Sequence, residues 1–430
     1  MDEATGPPVR RRLSPPQRRA QIVQAAREVF SELGVSGTRV REIAERAGVT
    51  EPLVYRYFHS KDEIYQLAIL DPLDEFTETL ASQTHELAER SDISRRQILE
   101  KFHELFLGHI IEMAPLIAAA LFSDPAEGPR FYHDVLFPRV REVITKVIAD
   151  VSGWKVDSVD VDVATQALLG VYFGIALESM LDDVVLDPAE LAHQLTLLFA
   201  PGLSRRRFGP AEHPDRTVGP VGPLAGFESL ACSAPVPTGR VPRAERRELV
   251  LAAARGVFLQ VGAAGARSKE IADRAGITEA FLYRLFDSKD QMYLEAVQRP
   301  VERGFAELSI RVKELGESSS GREFIVLLNE LCLSFFVAYG GMCALALFSE
   351  LAQGRRFYRD ELTPHLREIR KVIIARIGID EVEIDPELVR RAIIGPQWAI
   401  GFDTRLRGQP IDVAVVARSL ATLFTGGVRS

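Results

Sequence analysis

The stretch GVTEPLVYRYFHSKDEIY, residues 48–65, returns in altered form as GITEAFLYRLFDSKDQMY, residues 276–293. Aligned on Phe30 and Phe258, the two lie 228 residues apart, and Arg18–Ile69 falls on Arg246–Val297 without a gap. About half of the aligned positions are identical, far above chance for unrelated segments. The likeness continues downstream. LFSDPAEGPRFYHDVLFPRVRE (121–142) matches LFSELAQGRRFYRDELTPHLRE (347–368) at an offset of 226. ALLG and LTLLFA near 167–200 match AIIG and LATLFT near 392–425 at 225. Such a period is too long for a solenoid and means two complete copies of one unit.

A chain of 430 residues exceeds one ordinary core, and its 47% hydrophobic content lets each copy bury its own. The repeat divides it into a basic arm (1–14), a first head (15–70), a first body (71–200), a linker (201–242), a second head (243–298) and a second body (299–430). The linker is rich in Pro and Gly and lacks apolar periodicity. As a flexible coil it would span about 35 Å on average, enough for the halves to pack in more than one orientation. No run of eighteen apolar residues occurs, so no membrane span is expected, and the N-terminus lacks the apolar core of a secretory signal. Cys232, Cys332 and Cys343 have neither zinc spacing nor the even count of a disulfide framework, which fits a reducing cytoplasm. No metal site and no cofactor are expected.

The net charge is −8, yet its distribution favours a polyanion. Residues 1–70 sum to about +2 and residues 240–299 to about +3, leaving the bodies strongly acidic. Arg10, Arg11, Arg12, Arg18 and Arg19 precede the first copy, and Arg240, Arg243, Arg246 and Arg247 the second. Local field outweighs total charge in attracting a partner, although a solvated tail explains such clusters equally well.

Periodicity is helical nearly throughout, with long amphipathic stretches near 98–114, 129–151, 161–181 and 188–200. Only VDSVDVDV (156–163) alternates, so the fold class is all-α. Ile22, Ala26, Val29, Phe30 and Leu33 line one face of a first helix, which Gly34 stops. Thr38 is a candidate N-cap for a second helix carrying Ile43, Ala44 and Ala47. Gly48 supplies a left-handed turn residue, Thr50 caps a third helix with Pro52 in its first turn, and Ser60 caps a fourth from Lys61. Two short helices joined by such a turn form a helix-turn-helix, whose second helix fits the DNA major groove. Its outward residues are Glu51, Pro52, Leu53, Tyr55, Arg56 and Tyr57. Glu51 can accept from a cytosine amino group, Pro52 and Leu53 can touch a thymine methyl, and Tyr55, Tyr57 and Lys61 suit phosphate oxygens. Arg41 can reach a phosphate or a guanine.

The segment TRVREIAERAGVTEPLVYRYFHSKDEIY resembles the DNA-binding head of the tetracycline-repressor (TetR) family, and SKEIADRAGITEAFLYRLFDSKDQMY is similar. The resemblance implies a three-helix head on an antiparallel helical body that binds a small effector and dimerises through its last two helices. Members are about half this long and act as homodimers, so this chain would hold both halves of that dimer as an intramolecular pseudo-dimer. Arg41, Glu51, Pro52, Tyr55, Tyr57 and Lys61 sit where the family contacts DNA, with Thr38, Thr50, Leu53 and Arg56 beside them. In the second head Lys269, Glu279, Phe281, Tyr283, Arg284 and Lys289 take those places, with Ser268 and Thr278. Ala266 replaces Thr38, Ala280 replaces Pro52, Leu285 replaces Tyr57 and Asp287 replaces His59. The second head is therefore expected to bind with altered base preference. The alternative is that only the first head binds.

In the bodies Phe102, Phe106, His109, Phe122, Tyr172 and Phe173, then Phe336, Tyr339, Phe348, Trp398 and Phe402, are candidates to line an apolar or aromatic effector site. Each alone is more simply a core residue. His103 and His109 share no helix face, which makes them a poor metal pair. Glu178 and Asp403 are polar groups late in apolar helices. Gly170 and Gly174 permit close helix approach, and Pro396 is expected to kink its helix. Nucleophile elbows, zinc motifs and phosphate-binding loops do not occur, which argues against an enzyme. The sequence-based expectation is a cytoplasmic, effector-controlled binder of double-stranded DNA, repressing more readily than activating, with further pairing of two chains left open.

Overall fold

The computed structural model describes residues 13–122, 127–150, 160–199, 242–319, 321–378, 383–407 and 410–426. Arg10, Arg11, Arg12, Arg240, Cys232 and nearly all of the linker lie outside the described residues. The first half comprises α1 (Pro15–Gly37), α2 (Val40–Arg46), α3 (Glu51–Val54), α4 (Lys61–Tyr65), α5 (Asp71–Ala88), α6 (Arg95–Phe122), α7 (Glu127–Arg130), α8 (Phe137–Asp150), α9 (Val161–Asp182) and α10 (Pro188–Phe199). The second repeats the series as α11 (Arg243–Gly265), α12 (Ser268–Arg274), α13 (Glu279–Leu282), α14 (Lys289–Tyr293), α15 (Arg299–Ser318), α16 (Gly321–Phe348), α17 (Leu351–Phe357), α18 (Thr363–Ile377), α19 (Pro386–Arg407) and α20 (Val413–Gly426). No strand occurs among the described residues, and the described end of VDSVDVDV enters α9.

In α1, Ser14 and Gln17 form a capping box, and Ile22, Ala26, Val29 and Phe30 are buried as the spacing requires. Leu33 is 37% exposed, because Gly34 turns out of helical geometry at φ 71° immediately after it. Among the described residues four π turns interrupt the helices, at Gln66–Leu70, Phe131–Leu136, Leu294–Gln298 and Tyr358–Leu362. In the first, the Asp71 N–H donates to the Gln66 carbonyl, five residues back, and the other three close the same way. A proline follows each: Pro72, Pro138, Pro300 and Pro364. Proline lacks an N–H and its ring collides with the carbonyl four residues earlier, so the turn before it widens and the helix continues.

The halves meet chiefly where α9 crosses α19, with α6 against α16 beside it. Repeat-related residues meet each other there. A Cβ on Gly395 would lie 2.1 Å from the Gly170 carbonyl oxygen, so the backbones touch. Phe122 stacks on Phe348 at 4.8 Å, and Phe199 on Phe424 at 5.8 Å. Contact of a residue with its own counterpart is the pattern a two-fold axis produces. Pro396 sits within α19 at this crossing, against Gly170, and the helix runs on through it. The ends of α1 and α11 also approach, since a Cβ on Gly37 would lie 2.9 Å from that of Ala264.

Among the described residues four helices, α6, α9, α11 and α16, are long and apolar enough to cross a membrane by length and composition, although none depends on an unbroken apolar run. In this fold 78% of the most apolar stretch of α9 and of α16 is buried against other helices.

Each body also buries a polar pair at a repeat-related place. His103 Nδ1 lies 2.7 Å from Tyr172 Oη, and at the related place Gln397 Nε2 donates to Asn329 Oδ1 at 2.6 Å. Burial lowers the pKa of His103 to about 3, so the folded chain holds it neutral. An unfolded histidine titrates near 6.5, so stability is full above that pH and falls as pH drops toward 3, by about 2 kcal/mol at pH 5. His103→Asn with Tyr172→Gln, the pair of the second half, should lose correspondingly less stability between pH 7 and pH 5 in urea unfolding. Identical pH dependence in both proteins would refute the buried neutral imidazole.

Candidate nucleic-acid interface

Each head is built on the same turn. Ala47 N–H donates to the Ile43 carbonyl and Val49 N–H to Ala44 at 2.9 Å, with Gly48 between at φ 64°. Gly276 repeats this at φ 65°. Val54 and Phe58 in the first head, and Leu282 and Phe286 in the second, are buried and hold the short third helix to the core. This leaves Arg41, Thr50, Pro52, Tyr55 and Arg56 exposed, and Glu51, Leu53, Tyr57 and Lys61 half-buried. In the second head Lys269, Thr278, Glu279, Tyr283 and Arg284 are exposed, and Ser268, Phe281 and Lys289 half-buried. Tyr55 and Tyr283 stand out as large rings 50% and 46% exposed.

Local bonds preset these side chains differently in the two heads. Arg41 Nε donates to Glu45 at 2.8 Å across one turn of α2. Ser268 Oγ lies 2.7 Å from Tyr283 Oη, and the Arg284 guanidinium sits 5.5 Å above the Phe281 ring. Thr278 caps α13 by accepting from the Phe281 N–H, whereas Thr50 occupies the cap position of α3 without a side-chain bond. Ser60 and Ser288 cap α4 and α14 alike.

One expectation needs correction, and a second residue proves to have partners within its own head. Thr38 is 2% exposed, and its hydroxyl donates to the Gly34 carbonyl at 2.6 Å. It closes the end of α1, Arg39 takes the cap of α2, and Thr38 presents no hydroxyl outward. Lys61 is not a free cation, because Nζ donates to the carbonyls of Val35 at 2.9 Å and Thr38 at 3.2 Å. Lys289 does the same with Ala263 and Ala266. Gly34 and Gly262 turn the chain at positive φ just before these carbonyls, and each ammonium bonds to two of them where the helix ends. Lys61→Met should therefore lower stability by about 1–2 kcal/mol in urea unfolding. A variant as stable as the wild type would show that the clamp contributes nothing.

Part of the basic cluster is structural too. Arg19 lies 5.1 Å over the Phe58 ring, and Arg247 lies 4.6 Å over Phe286 and pairs with Glu295.

Among the body aromatics, Phe173, Phe336, Phe348 and Trp398 line a small cavity of about 60 Å³ beside the crossing of α9 and α19, with Glu178, Cys343 and Tyr358 as titratable groups in its wall. Phe102, Phe106 and Tyr172 instead pack on one another, with Phe106 and Tyr172 stacked at 4.6 Å. Tyr339 stacks on Phe335, His109 Nδ1 donates to the Leu105 carbonyl oxygen at 2.9 Å, and Phe122 meets Phe402 edge-on. Burial pushes the Cys332 thiol up to about 12 and that of Cys343 further up, so neither forms a thiolate near neutral pH. No cluster of potential metal ligands occurs among the described residues.

The model of the bacterial regulatory proteins of the tetR family matches residues 22–68 and 250–296. The chain is 40% identical over 91 residues to the HTH-type transcriptional regulator TtgR of Pseudomonas putida, which is 21% of this chain and 43% of that protein. It is 30% identical over 143 residues to the HTH-type transcriptional repressor Rv3405c of Mycobacterium tuberculosis, 32% of this chain and 71% of that one. With the HTH-type transcriptional regulator PksA of Bacillus subtilis it shares 27% over 180 residues, 39% of this chain and 81% of that one. The match thus spans less than half the length of the first of these relatives.

Proposed function

Because the chain belongs to the TetR family and carries its DNA-binding domain twice, we propose that it is a built-in dimer whose two unlike heads bind two unequal half-sites on one duplex. The observation that carries this reading is the combination of an identical mount with a different reading surface. The glycine turn, serine cap and lysine clamp recur in both heads, while Pro52, Leu53 and Tyr57 become Ala280, Phe281 and Leu285. The phosphate-facing tyrosine and basic residues persist in both, so both heads retain backbone contacts and differ at bases.

Effector control fits the body. A cavity of about 60 Å³ holds about two waters, so an apolar effector enters by displacing side chains at the α9–α19 crossing. Such a displacement alters the packing of the halves and hence the spacing of the heads, which lowers DNA affinity and relieves repression. DNA as partner places the protein in the cytoplasm.

The test is to recover genomic fragments bound by purified protein and footprint them. Two protected half-sites should appear, about 34–36 Å or a multiple apart along the helix, and not mirror images. Protection of one half-site alone would refute two working heads.

A further inference from the structure

The two ends of the α9–α19 crossing are related by the repeat, so they can be compared bond by bond. At one end Arg391 Nε donates to Glu178 Oε2 at 3.1 Å, and its terminal nitrogen to Asp182 Oδ2 at 2.8 Å. Arg390 Nη1 donates to Glu178 Oε1 at 3.2 Å, and its Nη2 reaches both Glu178 and Glu387. Tyr358 Oη donates to Glu178 at 3.0 Å. The side chain of Arg390 is 0% exposed and that of Arg391 8%. At the other end Thr165 and Gln166 stand where the arginines were, and Asp403 where Glu178 was. There Gln166 Nε2 donates to Asp403 Oδ2 at 2.6 Å, a bond across the halves without an arginine in the place of Arg390 or Arg391.

We propose that this asymmetry is a pairing code: the α9 face bearing Glu178 and Asp182 accepts the α19 face bearing Arg390 and Arg391 and rejects a second copy of itself. Two first halves would bury Glu178 at both ends against Thr165 and Gln166, with no cation opposite. Two second halves would bury two arginines at each end with Asp403 in place of Glu178, one methylene shorter. A buried charge that loses its partner costs far more than a well-matched pair gains, so the like-with-like arrangements are penalised and the unlike one is selected. The partner this surface fits is therefore the other half of the same chain. Its pairing surface is consumed internally, and the chain is a monomer with two heads. The proposal holds whether or not both heads bind DNA.

Light scattering and thermal melting of the full chain test it. The wild type should scatter as one chain. Arg390→Glu with Arg391→Glu should melt about 5 °C or more lower and associate, because Glu178 and Asp182 of the first half lose their cationic donors. Adding Glu178→Arg and Asp182→Arg should recover at least half of that melting loss and restore the single-chain mass. Should the doubly reversed chain fail to fold, the near-isosteric Glu178→Gln replaces it. It should melt about 3 °C lower, while Asp403→Asn at the related end shifts melting by under about 1 °C. A wild-type dimer, an unaltered reversed variant, a fourfold exchange no better than the double, or equal effects of Glu178→Gln and Asp403→Asn would each overturn the code.

Discussion

Lys269→Ala with Tyr283→Ala should weaken binding of the full chain to its operator by about 10²-fold or more, although the first head is untouched. Both side chains are exposed, so their loss removes contacts to DNA without opening a core. The size of the effect comes from tethering. Once the first head is seated, the second searches a small volume and binds at a high effective concentration, so the two together exceed either alone by 10²–10⁴. The matched change Arg41→Ala with Tyr55→Ala should cost a similar factor. Fluorescence anisotropy at one fixed salt concentration makes the comparison, since phosphate contacts make affinity steeply salt-dependent. If only the first-head variant loses affinity, the second half is a pairing module and not a reader.

Gly395→Val should disrupt the seam between the halves, lowering stability by about 3 kcal/mol or more. The new Cβ would stand 2.1 Å from the Gly170 carbonyl oxygen and 2.8 Å from its carbon. These are backbone atoms in the middle of α9, which cannot rotate away as a side chain can. Gly174→Ala is the control. Its Cβ would meet the Arg391 carbonyl oxygen and Gly395 Cα at 3.2 Å, a contact that a shift of a few tenths of an ångström relieves. Alanine also favours a helix interior over glycine by about 0.8–1 kcal/mol, so the net change should lie near zero. Equal stability of the two variants in denaturant unfolding would mean that the helices do not cross backbone to backbone.

Much of this fold is legible in the chain because its information is local. Ile22, Ala26, Val29 and Phe30 announce α1 by spacing alone, and Gly48 and Ser60 mark the turn and cap where the structure has them. Leu33 and Thr38 were misleading for a shared reason. A glycine at positive φ redirects the chain at Gly34, and the residues on either side exchange the roles that helical periodicity would give them. The clamp of Lys61 on Val35 and Thr38 joins positions 23 and 26 residues apart, and no periodicity reports such a bond. The π turns were readable in principle from the four prolines, two at related places in each half. The aromatic residues of the bodies carry no signal that separates a stacked core, such as Phe106 on Tyr172, from a cavity wall, such as Trp398. The buried arginines were the clearest missed sign. Arg390 and Arg391 interrupt an apolar helix where its twin has Thr165 and Gln166, and a difference of that kind between duplicated segments marks the place where the copies face each other.

The account rests on two different readers sharing one duplex, and making them alike tests it most directly. The sequence of residues 52–57 is placed at 280–285 in the full chain, and bound duplexes are selected from a random pool for both proteins. The wild type should select an asymmetric site. The altered chain should select a palindrome built from the half-site that the wild type's first head prefers, at unchanged spacing. Selection of the same asymmetric site by both proteins would contradict the account.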